Sequence, residues 1–78
     1  NVPGAKKLHV KHIIAGFLYA NAKAPNKLKM VTEIMNNGMY CKIYLVDEMK
    51  YQDNIPRQAI VNGVRNGNLI CMTGKDYR

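Results

Sequence analysis

From Met39 to Leu45 the chain alternates strictly, with Met39, Cys41, Ile43 and Leu45 at one set of positions and Tyr40, Lys42 and Tyr44 at the other. Successive side chains of a strand point to opposite faces, so this run predicts a half-buried β-strand over 39–46. One of its faces is apolar and the other carries two tyrosines and a lysine. Whatever else the chain builds has to cover the apolar face.

The flanking segments carry apolar stripes of a longer period. Val10, Ile13, Ile14, Phe17 and Leu18 recur at helical spacing beside Lys7, Lys11 and two histidines, and predict a first helix over 6–22. Pro25 ends it, Asn26 offers a capping oxygen, and Leu28, Val31, Ile34 and Met35 predict a second helix over 26–36. Asn37-Gly38 suits a left-handed stop after that helix. Beyond the strand, Asp47 to Gln52 reads as a short helical turn. Ile55, Ala59, Ile60 and Val64 predict a third helix over 55–66, with Pro56 near its start and Gly67 as its stop. Leu69 to Met72 is a short apolar strand, and Thr73-Gly74-Lys75-Asp76 a turn, so residues 68–78 read as the start of a hairpin. The expected architecture is α+β: a small single domain over 1–78, three helices with a two- or three-stranded antiparallel sheet. A chain of 78 residues has no room for a second module.

Several function classes are disfavoured by what the residues lack. There is no serine, so a serine nucleophile is excluded. The carboxylates are Glu33, Asp47, Glu48, Asp53 and Asp76. The one adjacent pair, Asp47-Glu48, diverges at a strand end and does not converge on a substrate. No glycine-rich phosphate loop surrounds Gly63 or Gly67. His9 and His12 lie three apart, but the chain has no closely spaced cysteine knuckle, so no metal is expected. The methionines, Met30, Met35, Met39, Met49 and Met72, read mainly as gap-filling core residues. The expectation is a binding protein without catalysis or cofactor. No run approaches the roughly 18 apolar residues of a membrane span, and Gly16 interrupts the best candidate, Ile13 to Ala20. Cys41 and Cys71 are ordinary core thiols in a reducing cytoplasm, the expected location. Joined as a disulfide, they would indicate a secreted or periplasmic protein.

The partner is suggested by charge. Twelve Lys and Arg stand against five Asp and Glu, a net +7, and the basic residues spread from Lys6 to Arg78, which implies a basic surface and not a basic tail. On the third helix, Arg57, Gln58, Asn62 and Arg65 form a polar face of side chains whose donors and acceptors match base edges in the major groove. Around that helix, Tyr44-Leu45-Val46-Asp47-Glu48-Met49, Ile55-Pro56, Ala59-Ile60, Val64 and Gly67-x-Leu69 resemble the DNA-binding head of the excisionase and MerR-like winged-helix families. The resemblance spans residues 44–78. It implies a winged-helix-like fold with a recognition helix over 55–66 and a wing tip at Thr73-Gly74-Lys75-Asp76. Arg57, Gln58, Asn62 and Arg65 would then contact bases, and Lys75 and Arg78 phosphate. Lys7, Lys11, Lys27 and Lys29 on the N-terminal pair would add phosphate contacts. The leading expectation is therefore a sequence-specific regulator that binds duplex DNA, of phage or mobile-element type. Two alternatives stay open: a protein-binding inhibitor or secreted effector using the apolar, Met-rich surface, and an RNA or single-strand binder that stacks bases on Tyr40 and Tyr44.

Overall fold

The computed structural model describes residues 7–73. The predicted strand forms as β3 (Tyr40–Leu45), with Cys41 and Ile43 fully buried. Around it the chain builds four more strands: β1 (Leu18–Asn21), β2 (Ala24–Met35), β4 (Lys50–Pro56) and β5 (Leu69–Cys71). All neighbours pair antiparallel, in the order β4-β3-β2-β1-β5. The first four strands form a meander. The helix α1 (Arg57–Asn66) then carries the chain across one face of the sheet, so that β5 pairs with β1 at the far edge.

This corrects the expected architecture of three helices with a small, winged-helix-like sheet. Among the described residues there is one α-helix and a five-stranded sheet. The reason lies in two local features. In β2, Val31 pairs with Ile43 and Glu33 with Lys42, so one extra residue, Thr32, bulges out of the ladder. A bulge shifts the alternation by one residue. Val31 and Ile34 therefore both reach the core at a spacing of three, which imitates a helix. In the first segment, Gly16 at φ 95° turns the chain sharply, and residues 7–17 form an irregular arm that includes a 3-10 turn, Val10–His12. Ile13 and Phe17 are buried, but Val10 and Ile14 are 37% and 57% exposed, so the apparent stripe is not a continuous face. Asn26, expected to cap a helix, lies inside β2.

Other turn signals hold in a changed setting. Asn37 at φ 57° and Gly38 at φ 89° do take left-handed conformations, but they link β2 to β3, not a helix to a strand. Gly67 at φ 87° ends α1 as expected, its N–H donating to the Val64 carbonyl. Residues 46–49 form a turn, not a helix, between β3 and β4.

The core lies between the sheet and a cover made of α1 and the arm. Leu8, Ile13 and Phe17 of the arm and Ile60, Val61 and Val64 of α1 pack against Tyr19, Val31, Cys41, Ile43 and Cys71. Gly63 lets α1 approach β5 closely: a Cβ there would lie 2.5 Å from Leu69 Cδ1 and 2.6 Å from Cγ. The arm has little regular structure of its own, and two arginines of α1 hold it in place. Arg57 Nε donates to the Ile13 carbonyl at 3.0 Å, and its Nη1 to the Gly38 carbonyl at 2.9 Å. Arg65 donates through Nε and Nη2 to the Leu8 carbonyl at 3.1 and 2.6 Å.

Candidate nucleic-acid interface

The helix and arm cover one face of the sheet, and the alternation of β3 sends Tyr40, Lys42 and Tyr44 to the other. Residues directly opposite in an antiparallel ladder share a face. Tyr44 pairs with Tyr51 on β4 and with Met30 on β2, and Met30 pairs with Leu18 on β1. Tyr51, Tyr44, Met30 and Leu18 thus form one row across four strands on the open face. The two phenol rings lie 4.9 Å apart at 52°, and Tyr51 is 60% exposed. A third aromatic, Tyr40, sits further along β3 on the same face, between Met35 and Pro56.

Charge is set beside this row. The Lys42 ammonium lies 5.2 Å from the centre of the Tyr51 ring and 3.9 Å from Asp53 Oδ1. Asp53 comes within reach because it follows Gln52, the partner of Ile43, and so stands opposite Lys42, just where β4 carries a bulge of its own. Cys41 pairs with Ile55 and Ile43 with Gln52, leaving one extra residue at Asp53-Asn54, with Asn54 at φ 58°. Glu33 is the cross-strand partner of Lys42 on the β2 side. The open face therefore offers aromatic and apolar surface, one ammonium and two carboxylates.

The residues expected to contact DNA are not gathered into one surface. Arg57 and Arg65 spend their guanidinium groups on carbonyls of the arm and the β2–β3 turn, and Arg65 Nη2 also lies 3.2 Å from His9 Nδ1. Gln58 and Asn62 are exposed on the outer side of α1, where Gln58 Nε2 donates to Asn62 Oδ1 at 2.9 Å. Lys7 and Lys11 are exposed on the arm, and Lys27 is exposed on β2. Lys29 is half-buried, its ammonium 5.9 Å from the Tyr19 ring centre. Lys75 and Arg78, with the wing tip from Gly74 onward, lie outside the described residues. Tyr51 and Asp53 were not anticipated, because an exposed edge strand needs no apolar alternation and its bulge breaks the period.

Cys41 and Cys71 are both buried, and their thiols donate to the Ile55 and Thr73 carbonyls. They sit on β3 and β5, separated by β2 and β1, a span of roughly 14 Å at three strand spacings, where a disulfide needs Cα atoms within about 7 Å. The disulfide considered from sequence is therefore not formed. Burial pushes the Cys41 thiol up from its ordinary range, opposed in part by the Arg57 guanidinium. Burial likewise raises the Tyr19 phenol, with Cys41 adding to the effect. Among the described residues no group of His, Cys, Asp and Glu could hold a metal ion, and no helix is long and apolar enough to cross a membrane.

Comparison of the chain with protein-family models, curated proteins and solved structures finds no match.

Proposed function

We propose that the chain binds single-stranded nucleic acid across the open sheet face, with a base stacked on the Tyr44–Tyr51 pair. The observation that carries this reading is the pair itself: two phenol rings in contact on adjacent strands, Tyr51 exposed and Tyr44 half-buried beside it, with the Lys42 ammonium over the Tyr51 ring. Stacking a base on an aromatic side chain is worth about 1–3 kcal/mol. The exposed cation–π contact that the base displaces is worth about 0.5–1 kcal/mol. The exposed pair between Lys42 and Asp53, at 3.9 Å, adds less than about 1 kcal/mol. Exchange of the ammonium for a base is therefore favourable, and it frees Lys42 to turn toward the ligand. The net charge of +7 supplies general attraction to a polyanion.

A duplex fits less well than a single strand. Reading a major groove needs a protruding helix with free polar side chains. In α1 the two arginines point into the protein and the other two polar residues bond to each other. Two buried thiols set three strand spacings apart and not joined to each other suit a reducing cytoplasm, which we propose as the compartment.

The test is an anisotropy titration of a labelled mixed-sequence oligonucleotide, single-stranded and as a duplex, at two salt concentrations. The single strand should bind more tightly, with affinity falling as salt rises, and Tyr51→Ala should weaken it about tenfold without changing thermal stability. Equal or tighter binding of the duplex overturns the proposal, as does a Tyr51→Ala variant that binds like the wild type. Capture of a protein by the same face, with no oligonucleotide bound, would assign the face to protein recognition.

A further inference from the structure

We infer that the base seated on the Tyr44–Tyr51 pair is guanine, selected by Asp53 and Lys42. The inference rests on the single-strand reading above and concerns which base that site prefers. Its starting point is a feature that attraction to a polyanion does not explain. Only five residues of the chain carry carboxylates, and two of them, Glu33 and Asp53, neighbour Lys42 beside the aromatic row. A carboxylate there repels phosphate. It has a use if it accepts hydrogen bonds from a base, since an ionised carboxylate is a pure acceptor with two oxygens.

The four bases present different edges to such a pair. The Watson–Crick edge of guanine carries two adjacent donors, N1–H and the N2 amine, next to the O6 acceptor. The two donors match the two oxygens of one carboxylate, and O6 matches an ammonium. Cytosine and adenine offer a single amine beside acceptors, and uracil a single N3–H between two carbonyls. Asp53 Oδ1 and Lys42 Nζ lie 3.9 Å apart, close enough to meet one base edge together, and the same ammonium is 5.2 Å from the Tyr51 ring on which the base rests. Guanine can therefore form three hydrogen bonds here where each other base forms two. Asp53 is held in this place by the ladder itself: Tyr44 pairs with Tyr51 and Ile43 with Gln52, so the next position of β4 stands opposite Lys42.

The experiment uses hexauridylates in which one central residue is guanosine, inosine, adenosine, cytidine or uridine. Each is titrated against the wild-type chain, Asp53→Asn and Tyr51→Ala. Guanosine should bind about fivefold more tightly than adenosine or cytidine, the low end for a two-point contact because the site is open to water. Inosine, which lacks the N2 amine, should fall between. Asp53→Asn should erase the guanosine advantage, bringing the guanosine and uridine oligonucleotides to within about twofold of each other. Equal affinity for all five oligonucleotides in the wild type overturns the guanine assignment; if Tyr51→Ala still weakens all of them, the single-strand reading stands. A guanosine preference that persists in Asp53→Asn overturns the role of Asp53. Absence of binding by every oligonucleotide overturns both the assignment and the reading beneath it.

Discussion

Replacing Arg57 by Ala separates a structural arginine from a nucleic-acid contact. Arg57 makes two charge-assisted hydrogen bonds, 3.0 Å to the Ile13 carbonyl and 2.9 Å to the Gly38 carbonyl, and so ties the arm and the β2–β3 turn to the first turn of α1. A hydrogen bond to a charged group contributes about 1.5–3 kcal/mol when its partner is left unsatisfied in the interior. These bonds are only part-buried, so water reaches the freed carbonyls and the low end applies to each. The loss sums to about 3 kcal/mol. A domain of this size has a total stability of only about 4–12 kcal/mol, so the change is a large share of it. At roughly 4–8 °C per kcal/mol, the melting temperature should fall by about 12–24 °C. The assay is urea unfolding followed by far-ultraviolet circular dichroism, with the slope unchanged and the midpoint lowered. Arg57→Lys, which keeps charge but has no fork to reach both carbonyls, should recover no more than half. A variant with wild-type stability and tenfold weaker duplex binding would refute this reasoning and restore Arg57 to the DNA-contact role.

Two further perturbations test the packing. Burial raises both Tyr19 and Cys41 above their ordinary values near 10 and 9, so the folded state keeps their protons longer than the unfolded state does. Stability from these groups is complete below pH 9 and should fall as pH rises beyond it, by up to about 1.4 kcal/mol per pH unit for each group once its unfolded form has ionised. Urea midpoints from pH 7 to 11 should show this decline, and Tyr19→Phe should make it shallower; equal slopes for the two proteins would contradict the assignment. Gly63→Ala should destabilise, although alanine is the better helix former by about 1 kcal/mol. Its Cβ meets Leu69 at the branch atom Cγ as well as at the tip Cδ1, so turning the tip aside does not clear it and β5 must shift at about 1–3 kcal/mol. Leu69→Ala should then cost less in the Gly63→Ala background than in wild type, and strict additivity would argue against the contact.

What could be read from the sequence depended on whether a segment's local pattern survived its ladder. The strand at 39–46 and the face shared by Tyr40, Lys42 and Tyr44 were legible because β3 is a central strand without an extra residue of its own. β2 was not, because the bulge at Thr32 turns a spacing of two into a spacing of three, and periodicity alone cannot separate that from a helix. The helix over 57–66 was legible, but the inward placement of its arginines was not read, although a signal for it existed. Arg57 lies three before Ile60, four before Val61 and seven before Val64, all buried, so it belongs to the inward stripe and not to the polar face with Gln58 and Asn62. Tyr51 and Asp53 left no comparable trace. They are brought to the site by pairing with β3, which is long-range information.

The way the arm is fastened has a consequence for how the chain reaches this fold. The carbonyl of Leu8 waits for Arg65, 57 residues away, and the Leu18 N–H for Thr73 Oγ1, 55 residues away. The meander from β1 to β4 can zip hairpin by hairpin, but neither the arm nor strand β1 has its final neighbour until α1 has crossed the sheet. Closing such long loops is entropically unfavourable before any contact offsets it. The last helix should therefore dock late and seal both ends in one step. Mutations in its arginines would then speed unfolding more than they slow folding.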